Sequence, residues 1–493
     1  MNNGKKNETN TMIVTTSLFV ATFLSAIEGT IVSTAMPTIV GELHGVSLMN
    51  WVFSIYLLTS SIATPIYGKL SDLLGRKRVL VAGLSVFIVG SLLSGITSSM
   101  EALIVWRALQ GLGAGVILPV SYAMIADIYP FAKRSKIIGL NSAGWGISAV
   151  IAPLLGGFIV DTLGWRWIFL INIPIGLITM GLIIYYFKET MVTRKRVSID
   201  YLGTIYLTVV LLSLMLMIQI LGDKSVGLSR LAFLFLICFA SIVLFIRREH
   251  SFIDPIIPMG MFKHGSFVAQ NAVAFFISGF VMCIEVYVPN WIQGIKGFKA
   301  SIAGLALTPS SVLWVLGSFA SGWLITKIHS KYVTTVGIGF VLLGSIIFVL
   351  ANQTLSLSWF FITTALSGFG FGIVMTNTTV IVQQKVSDYD VGAATSFNVL
   401  CRTLGQTLFI AIFGIFMNTS LRVGVLQIDG ASIKKVNKLM SPETAVLLPA
   451  KLIPSLKTIL FNALHNVFVV GMVVVMIALI INLSYHHLKK DEA

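Results

Sequence analysis

Apolar runs of about twenty residues recur along this chain with short polar breaks between them. A run of that length crosses about 30 Å of hydrocarbon as a helix. Fourteen helices are predicted, starting near residues 12, 48, 79, 102, 136, 165, 200, 230, 267, 301, 333, 356, 391 and 459. The first begins near Met12 behind a polar stretch, and no A-x-A cleavage pattern follows it. It is therefore read as a span and not as a leader. The fold class expected is an all-α polytopic membrane protein.

Composition sharpens this picture. Of 493 residues, 56% are hydrophobic and only 11% charged, with a mean hydropathy of +0.92. A soluble domain carries about 25% charged residues, so a water-facing surface of this size cannot be built. The net charge of +15 does not imply nucleic acid, because the basic residues stand in clusters between apolar runs. These are Arg76-Lys77-Arg78, Lys133-Arg134, Arg194-Lys195-Arg196 and Arg247-Arg248. Loops after the second, fourth, sixth and eighth spans carry them, whereas loops after the first, third and fifth hold acids such as Glu42, Glu101 and Asp161. Under the positive-inside rule this alternation puts both termini in the cytoplasm. The basic stretch 418–458 breaks the pattern and is placed outside, since long translocated loops escape the rule. Cys238, Cys283 and Cys401 all lie in apolar runs without ligand spacing, so neither a disulfide framework nor a metal site is expected.

An internal repeat appears when the chain is shifted by 257 residues. Gly111, Gly113 and Gly115 then fall on Gly368, Gly370 and Gly372, Asn141 on Asn398, and Glu28 on Glu285. That offset exceeds six helices by the pair at about 200–249. The predicted plan is an N-terminal six-helix half (1–195), two inserted helices (196–255), and a C-terminal six-helix half (256–493) carrying the external loop 418–458. Two halves around a central cavity are one arrangement of transporter repeats.

Several motifs resemble the major facilitator superfamily, and within it the fourteen-span drug:proton antiporter branch of bacterial multidrug efflux pumps. They are the loop Gly68-Lys69-Leu70-Ser71-Asp72 through Arg78, the run Arg107-Ala108-Leu109-Gln110-Gly111, and Ala152-Pro153-Leu154-Leu155-Gly156-Gly157. Gly164-Trp165-Arg166-Trp167 through Asn172-Ile173-Pro174, and Glu28 through Pro37, add to these. The likeness covers about residues 12–417. Ala152 stands where the family usually has Gly, and Glu28 where it usually has Asp. The resemblance implies a major-facilitator fold and assigns Arg107 to proton transfer.

The candidate chemistry is concentrated in a few intramembrane charges. A carboxylate inside a span is costly unless it pairs, faces a cavity or is protonated, so Glu28 and Glu285 are candidates for proton coupling and substrate contact. Glu28 and Arg107 lie at similar depth in the outer half of their spans, which puts an interaction within reach. A purely structural ion pair is the plain alternative. Arg402 is also intramembrane, with no partner legible in the sequence. Asp72, Arg76 and Asp127 are candidates for a conformational latch, and its second-half counterpart is degenerate, with Thr326 for the acid and Ser330 for the arginine. Pro153, Gly156 and Gly157 predict a helix bend, since Pro removes a backbone donor. Trp51, Tyr56, Trp145, Phe276, Tyr287 and Phe371 are candidates to line an adaptable pocket, although most intramembrane aromatics face lipid or the interface. The glycine triplet lacks a preceding strand and a following Gly-Lys-Ser/Thr, so it reads as helix packing and not as a phosphate loop.

The expected function is proton-coupled antiport that exports amphipathic, cationic drugs, dyes or biocides by alternating access. The alternative is a proton-coupled exporter of one defined lipid, metabolite or signalling molecule. An enzyme is not expected, because no nucleophile–base set or soluble catalytic domain is visible. No ATP-binding module or cofactor is expected either. The partners are protons, a small amphipathic substrate and membrane lipid; the protein is expected as a monomer in the bacterial cytoplasmic membrane. The orientation has a direct test. A cysteine placed at Lys438 should react with an impermeant reagent added outside cells, and one at Lys195 should not; the reverse labelling pattern overturns the topology.

Overall fold

The structure is a computed structural model that describes residues 9–130, 137, 147–148, 151–189, 200–221, 228–252, 259–384, 386 and 391–484. All regular structure among the described residues is helical. Hydrocarbon offers the backbone no partners, so each crossing segment must satisfy its own N–H and C=O groups. The first helices are α1 (Thr11–Leu43), α2 (Met49–Leu74), α3 (Arg76–Gly95), α4 (Met100–Ala114) and α5 (Ile117–Ile128). They are followed by α6 (Ile151–Leu163), α7 (Trp167–Leu170) and α8 (Asn172–Tyr186). A hairpin of α9 (Tyr201–Leu221) and α10 (Leu228–Ser251) comes next. The remainder is α11 (Gly265–Asn290), α12 (Ala300–Leu324), α13 (Ser330–Leu350), α14 (Leu357–Gln384), α15 (Val391–Leu426), α16 (Ile433–Leu439), α17 (Pro442–Ala445) and α18 (Ile453–Ser484).

Twelve helices among the described residues are long and apolar enough to cross a membrane, not the fourteen expected. Ten of them begin within three residues of an expected start, and the spans from Phe397 and Ala450 begin six and nine residues away from 391 and 459. The two shorter apolar helices are Ile151–Leu163 and Leu202–Leu214, which at 1.5 Å per residue extend about 20 Å against the ~30 Å of a bilayer core. The first borders residues outside the described set, where the expected start near 136 also lies; the second is the part of the longer α9 (Tyr201–Leu221) between Tyr201 and Met215, whose side chains lie outside that set. The outward face of α10 leaves Phe233, Phe235, Leu236 and Phe239 more than half exposed, as a lipid-facing helix requires.

The loop 418–458 needs correction. Residues 418–426 continue α15 and 453–458 belong to α18, so the connection between the helices is 427–452. It is folded: Val436, Leu439 and Met440 are buried, and Ser441 and Thr444 press against Gly41 at the end of α1.

The glycine triplets explain how the helices approach so closely. A Cβ on Gly111 would lie 2.1 Å from the Thr59 hydroxyl, and one on Gly115 2.6 Å from the Ser60 carbonyl, both on α2. One on Gly113 would lie 2.2 Å from Phe87 N on α3. The shifted triplet repeats the alternation: Gly368 and Gly372 meet α12 at Ser310 and Trp314, while Gly370 meets α13 at Gly337. Small residues at alternate faces thus build the same three-helix packing twice.

The N-terminal and C-terminal helices are stitched together on the face that carries Glu42, opposite the face that carries Arg76. There the Tyr287 hydroxyl bonds Asn50 Oδ1 at 2.7 Å, and Gln293 Nε2 donates to the Thr34 carbonyl at 2.9 Å. Asp161 accepts from Ala300 N and Ser301 N at 3.2 and 3.0 Å, capping α12. Helix α9 sits in the junction, with Leu207 and Leu211 against Ile55 and Leu58 of α2 and Leu404 of α15.

The glycine packing has a measurable consequence. Gly113→Val should destabilise the protein by about 1–3 kcal/mol, the usual penalty of overpacking. Gly181→Val, where nothing lies within 4 Å, should be neutral. Thermal melting of both in detergent checks this; equal melting points would refute the packing role.

Candidate functional site

Glu28 sits midway along α1, and Arg107 follows two turns into α4. Their side chains are 0% and 1% exposed and meet at 2.5 Å, Nη1 to Oε1. Water reaches neither, so the protein must complete their hydrogen bonding. Arg107 Nη1 also donates to Gln110 Oε1 at 2.7 Å, and Nε donates to the Val52 carbonyl at 3.3 Å. The guanidinium lies over the Tyr56 ring, 4.0 Å from its centroid. The second carboxylate oxygen of Glu28 accepts from Asn172 Nδ2 at 2.6 Å. Ser91 closes the set: it accepts from Asn172 at 2.8 Å and Gln110 at 2.9 Å, and donates to the Phe169 carbonyl at 3.0 Å.

Five helices therefore converge on one ion pair. The predicted proximity of Glu28 and Arg107 is present in the structure. Ser91, Gln110 and Asn172 were missed as site residues, although each is a polar residue inside an apolar run, and Gln110 and Asn172 stand within the motifs. Tyr56 is not open pocket lining but the floor beneath the guanidinium.

Glu285 is in a different situation. It lies on α11, is partly exposed, and makes no hydrogen bond or ion pair with a described residue. The 257-residue shift places Thr364 where an arginine would complete a second pair, and its hydroxyl donates to the Ala306 carbonyl at 2.8 Å. The two acids are related by the repeat and unlike in their surroundings.

Of the latch residues, Arg76 and Asp127 form an ion pair between α3 and the end of α5. The Asp72 side chain lies outside the described residues. The backbone N–H of Arg76 donates to Glu189, which also crowds Gly75, the left-handed residue (φ 96°) between α2 and α3. The whole cluster belongs to the N-terminal helices. At the corresponding place around Lys331, Asn377 donates to the Ser330 carbonyl at 2.6 Å.

Pro153, Gly156 and Gly157 mark close contacts of α6. A Cβ on Gly157 would lie 2.5 Å from Ser301 Cα, and one on Gly156 2.4 Å from the Thr34 hydroxyl. The Pro153 carbonyl abuts Gly304 of α12. At the end of the same segment Glu42 binds Trp165 Nε1 at 2.7 Å and Arg166 Nη1 at 2.6 Å. Among the aromatic candidates, Trp51 and Phe276 are partly exposed, whereas Tyr287 and Phe371 are 0% and 1% exposed and enclosed in the core. Trp145 lies outside the described residues, as does Asn141. No group of His, Cys, Asp and Glu able to hold a metal ion occurs among the described residues.

The helical fold agrees with the comparisons. The family model of the Major Facilitator Superfamily matches residues 18–410, and the chain belongs to that family of membrane transporters. It is 34% identical to the multidrug transporter protein MdtP of Bacillus subtilis (strain 168) over 518 residues, spanning 99% of this chain and 94% of that protein. It is also 30% identical to the multidrug efflux pump SdrM of Staphylococcus aureus (strain N315), over 82% of this chain and 89% of that one. In fold it resembles the crystal structure of a bacterial homolog to the human lysosomal transporter Spinster, in an inward-facing and occupied conformation. That likeness has a TM-score of 0.69 at 16% identity and covers 97% of each chain.

The Arg76–Asp127 pair yields a testable statement. If it latches one access state, Arg76→Ala and Asp127→Asn should each slow transport severalfold while leaving substrate affinity nearly unchanged, because a latch shifts populations and not the pocket. The double variant should be no slower than either single one. Wild-type rates in both single variants would reject the latch.

Proposed function

We propose that this chain is a proton-coupled antiporter that exports amphipathic, mainly cationic drugs, dyes or biocides by alternating access. The observation that carries this reading is the Glu28–Arg107 pair: an ionisable group sealed from water and held by five helices. A charge in such a place is a functional element by default. When a proton neutralises Glu28, Coulomb attraction to Arg107 is lost, and the guanidinium is left to Gln110, the Val52 carbonyl and the Tyr56 face. The contact between α1 and α4 then loosens. One proton moving through 100 mV supplies about 2.3 kcal/mol, similar to the net strength of about 1.5–3 kcal/mol for a hydrogen bond to a charged group. Proton entry and rearrangement of this one contact are therefore of matching size.

Glu285, partly exposed and without a bonded partner among the described residues, suits contact with a cationic substrate. The Arg76–Asp127 pair would hold one access state. The likeness to named multidrug transporters supports export of many compounds over export of one. In this reading α6 and α9 complete fourteen crossings, since the α9 helix continues to Leu221, and both termini are cytoplasmic.

The deciding experiment uses purified protein in lipid vesicles with ethidium as substrate. Glu28→Gln should abolish substrate-induced proton release and gradient-driven transport of every substrate. Glu285→Gln should keep proton release with neutral substrates and lose most transport of cationic ones. Normal proton exchange by Glu28→Gln would overturn the assignment.

A further inference from the structure

Arg402 is an intramembrane charge that the Glu28 site, Glu285 and the latch all leave unused. It lies on α15, about 16 Å along the helix from Val391 at 1.5 Å per residue. Its Nη2 donates to the Met375 carbonyl at 2.5 Å and to the Thr379 hydroxyl, both on α14. Thr379 in turn donates to Asn398 Oδ1 at 3.2 Å. These acceptors are all neutral. The Nε donor is buried with no acceptor, and no carboxylate is bonded to the guanidinium among the described residues. A positive charge inside a membrane protein ordinarily has a counter-charge; here it has only dipoles. Arg402 is not the repeat image of Arg107, whose shifted position is Thr364, so it does not stand in for a second coupling pair.

The surroundings show what would complete it. Phe409 is seven residues further along α15, on the same helical face and about 10 Å away. Phe409 packs on Phe275 and Phe276 of α11 with ring centroids 5.6 and 5.7 Å apart. Arg402, Phe275 and Phe276 are each partly exposed. A cationic head with a spare donor thus stands two helical turns from an aromatic cluster in which Phe409 is buried and Phe275 and Phe276 are partly exposed. That spacing matches a fused-ring molecule bearing a single acidic group.

We propose that Arg402 anchors the anionic group of amphipathic substrates, a sulfonate or carboxylate, while their aromatic body lies along Phe275, Phe276 and Phe409. This rests on the transport reading above and extends it: the protein takes acidic amphipaths as well as cations, at opposite charges in separate places.

The test uses two probes that differ by one sulfonate, anilinonaphthalene sulfonate and phenylnaphthylamine, with ethidium as the cationic reference. Binding to the purified full-length protein is read by fluorescence. Arg402→Gln should weaken sulfonate binding about tenfold or more, the loss of one charge-assisted contact. Phenylnaphthylamine and ethidium binding should be unchanged, and Arg402→Lys, which keeps the charge, should restore much of the loss. In the wild type, toluenesulfonate should displace the sulfonate probe and leave phenylnaphthylamine bound, which carries the test even where Arg402→Gln fails to fold. Equal loss of all three probes in Arg402→Gln, or no displacement by toluenesulfonate, overturns the proposal. If the sulfonate arm fails while ethidium is still bound and exported, only the anion site falls. If the wild type neither binds nor moves any of the three, the multidrug reading falls with it.

Discussion

A charged group surrounded by hydrocarbon has no water to turn to, and every buried polar atom in this chain is subject to that constraint. Glu28 and Arg107 satisfy it most completely. Each oxygen of the carboxylate has a donor, and the guanidinium spends its hydrogens on Glu28, Gln110 and a carbonyl while its face covers Tyr56. Removing one partner of such a pair leaves the other uncompensated, at a typical cost of about 3–5 kcal/mol. The pair is therefore a structural keystone of the N-terminal helices and also their most sensitive point. Both properties have the same source in desolvation.

The seam between the two groups of helices obeys the constraint less fully. Asn50 Nδ2, Asn290 Oδ1 and Gln293 Oε1 are buried there with no bonded partner among the described residues. A permanent interface satisfies such atoms, because an orphaned buried group costs about 1–3 kcal/mol. Under the alternating-access reading proposed above, the seam parts in each cycle, and each unmade bond lowers the cost of parting. Asp161 fits the same logic. Its carboxylate bonds two backbone N–H groups of α12 across the seam, and a cap of that kind can be broken and remade without disturbing either helix. The glycines of α6 and α12 let backbones touch there with few side chains to disengage.

Much of this was legible in the residues. Apolar run length located the helices, because crossing a bilayer fixes a minimum length that no side-chain detail alters. The 257-residue shift located the glycine triplets, whose packing against α2 and α3 recurs against α12 and α13. Depth along two helices was enough to bring Glu28 and Arg107 together. The supporting partners were not legible, since Ser91 and Asn172 reach the site through the rotation of their helices, which run length does not specify. The ends of the 418–458 segment were misplaced because α15 runs on to Leu426 and α18 begins at Ile453, through polar residues that read as loop. Pro153, Gly156 and Gly157 suggested a bend; what the sequence does not carry is that α12 lies against them.

The two halves share a backbone plan and differ in where they keep charge. Around Arg76 the N-terminal helices use an ion pair, and around Lys331 the C-terminal helices use amides and hydroxyls: Asn377, Thr334, Gln270 and Asn482. The same contrast holds deeper, where the Glu28–Arg107 pair faces a repeat image composed of Thr364 and an unpaired Glu285. Neutral hydrogen bonds depend weakly on protonation, while an ion pair in a low dielectric depends on it strongly. In the proposed cycle the N-terminal half, which holds the buried Glu28–Arg107 pair, is the half that responds to a proton. In the same reading the C-terminal half presents to the substrate Glu285 and Arg402, neither of which has a charged partner among the described residues.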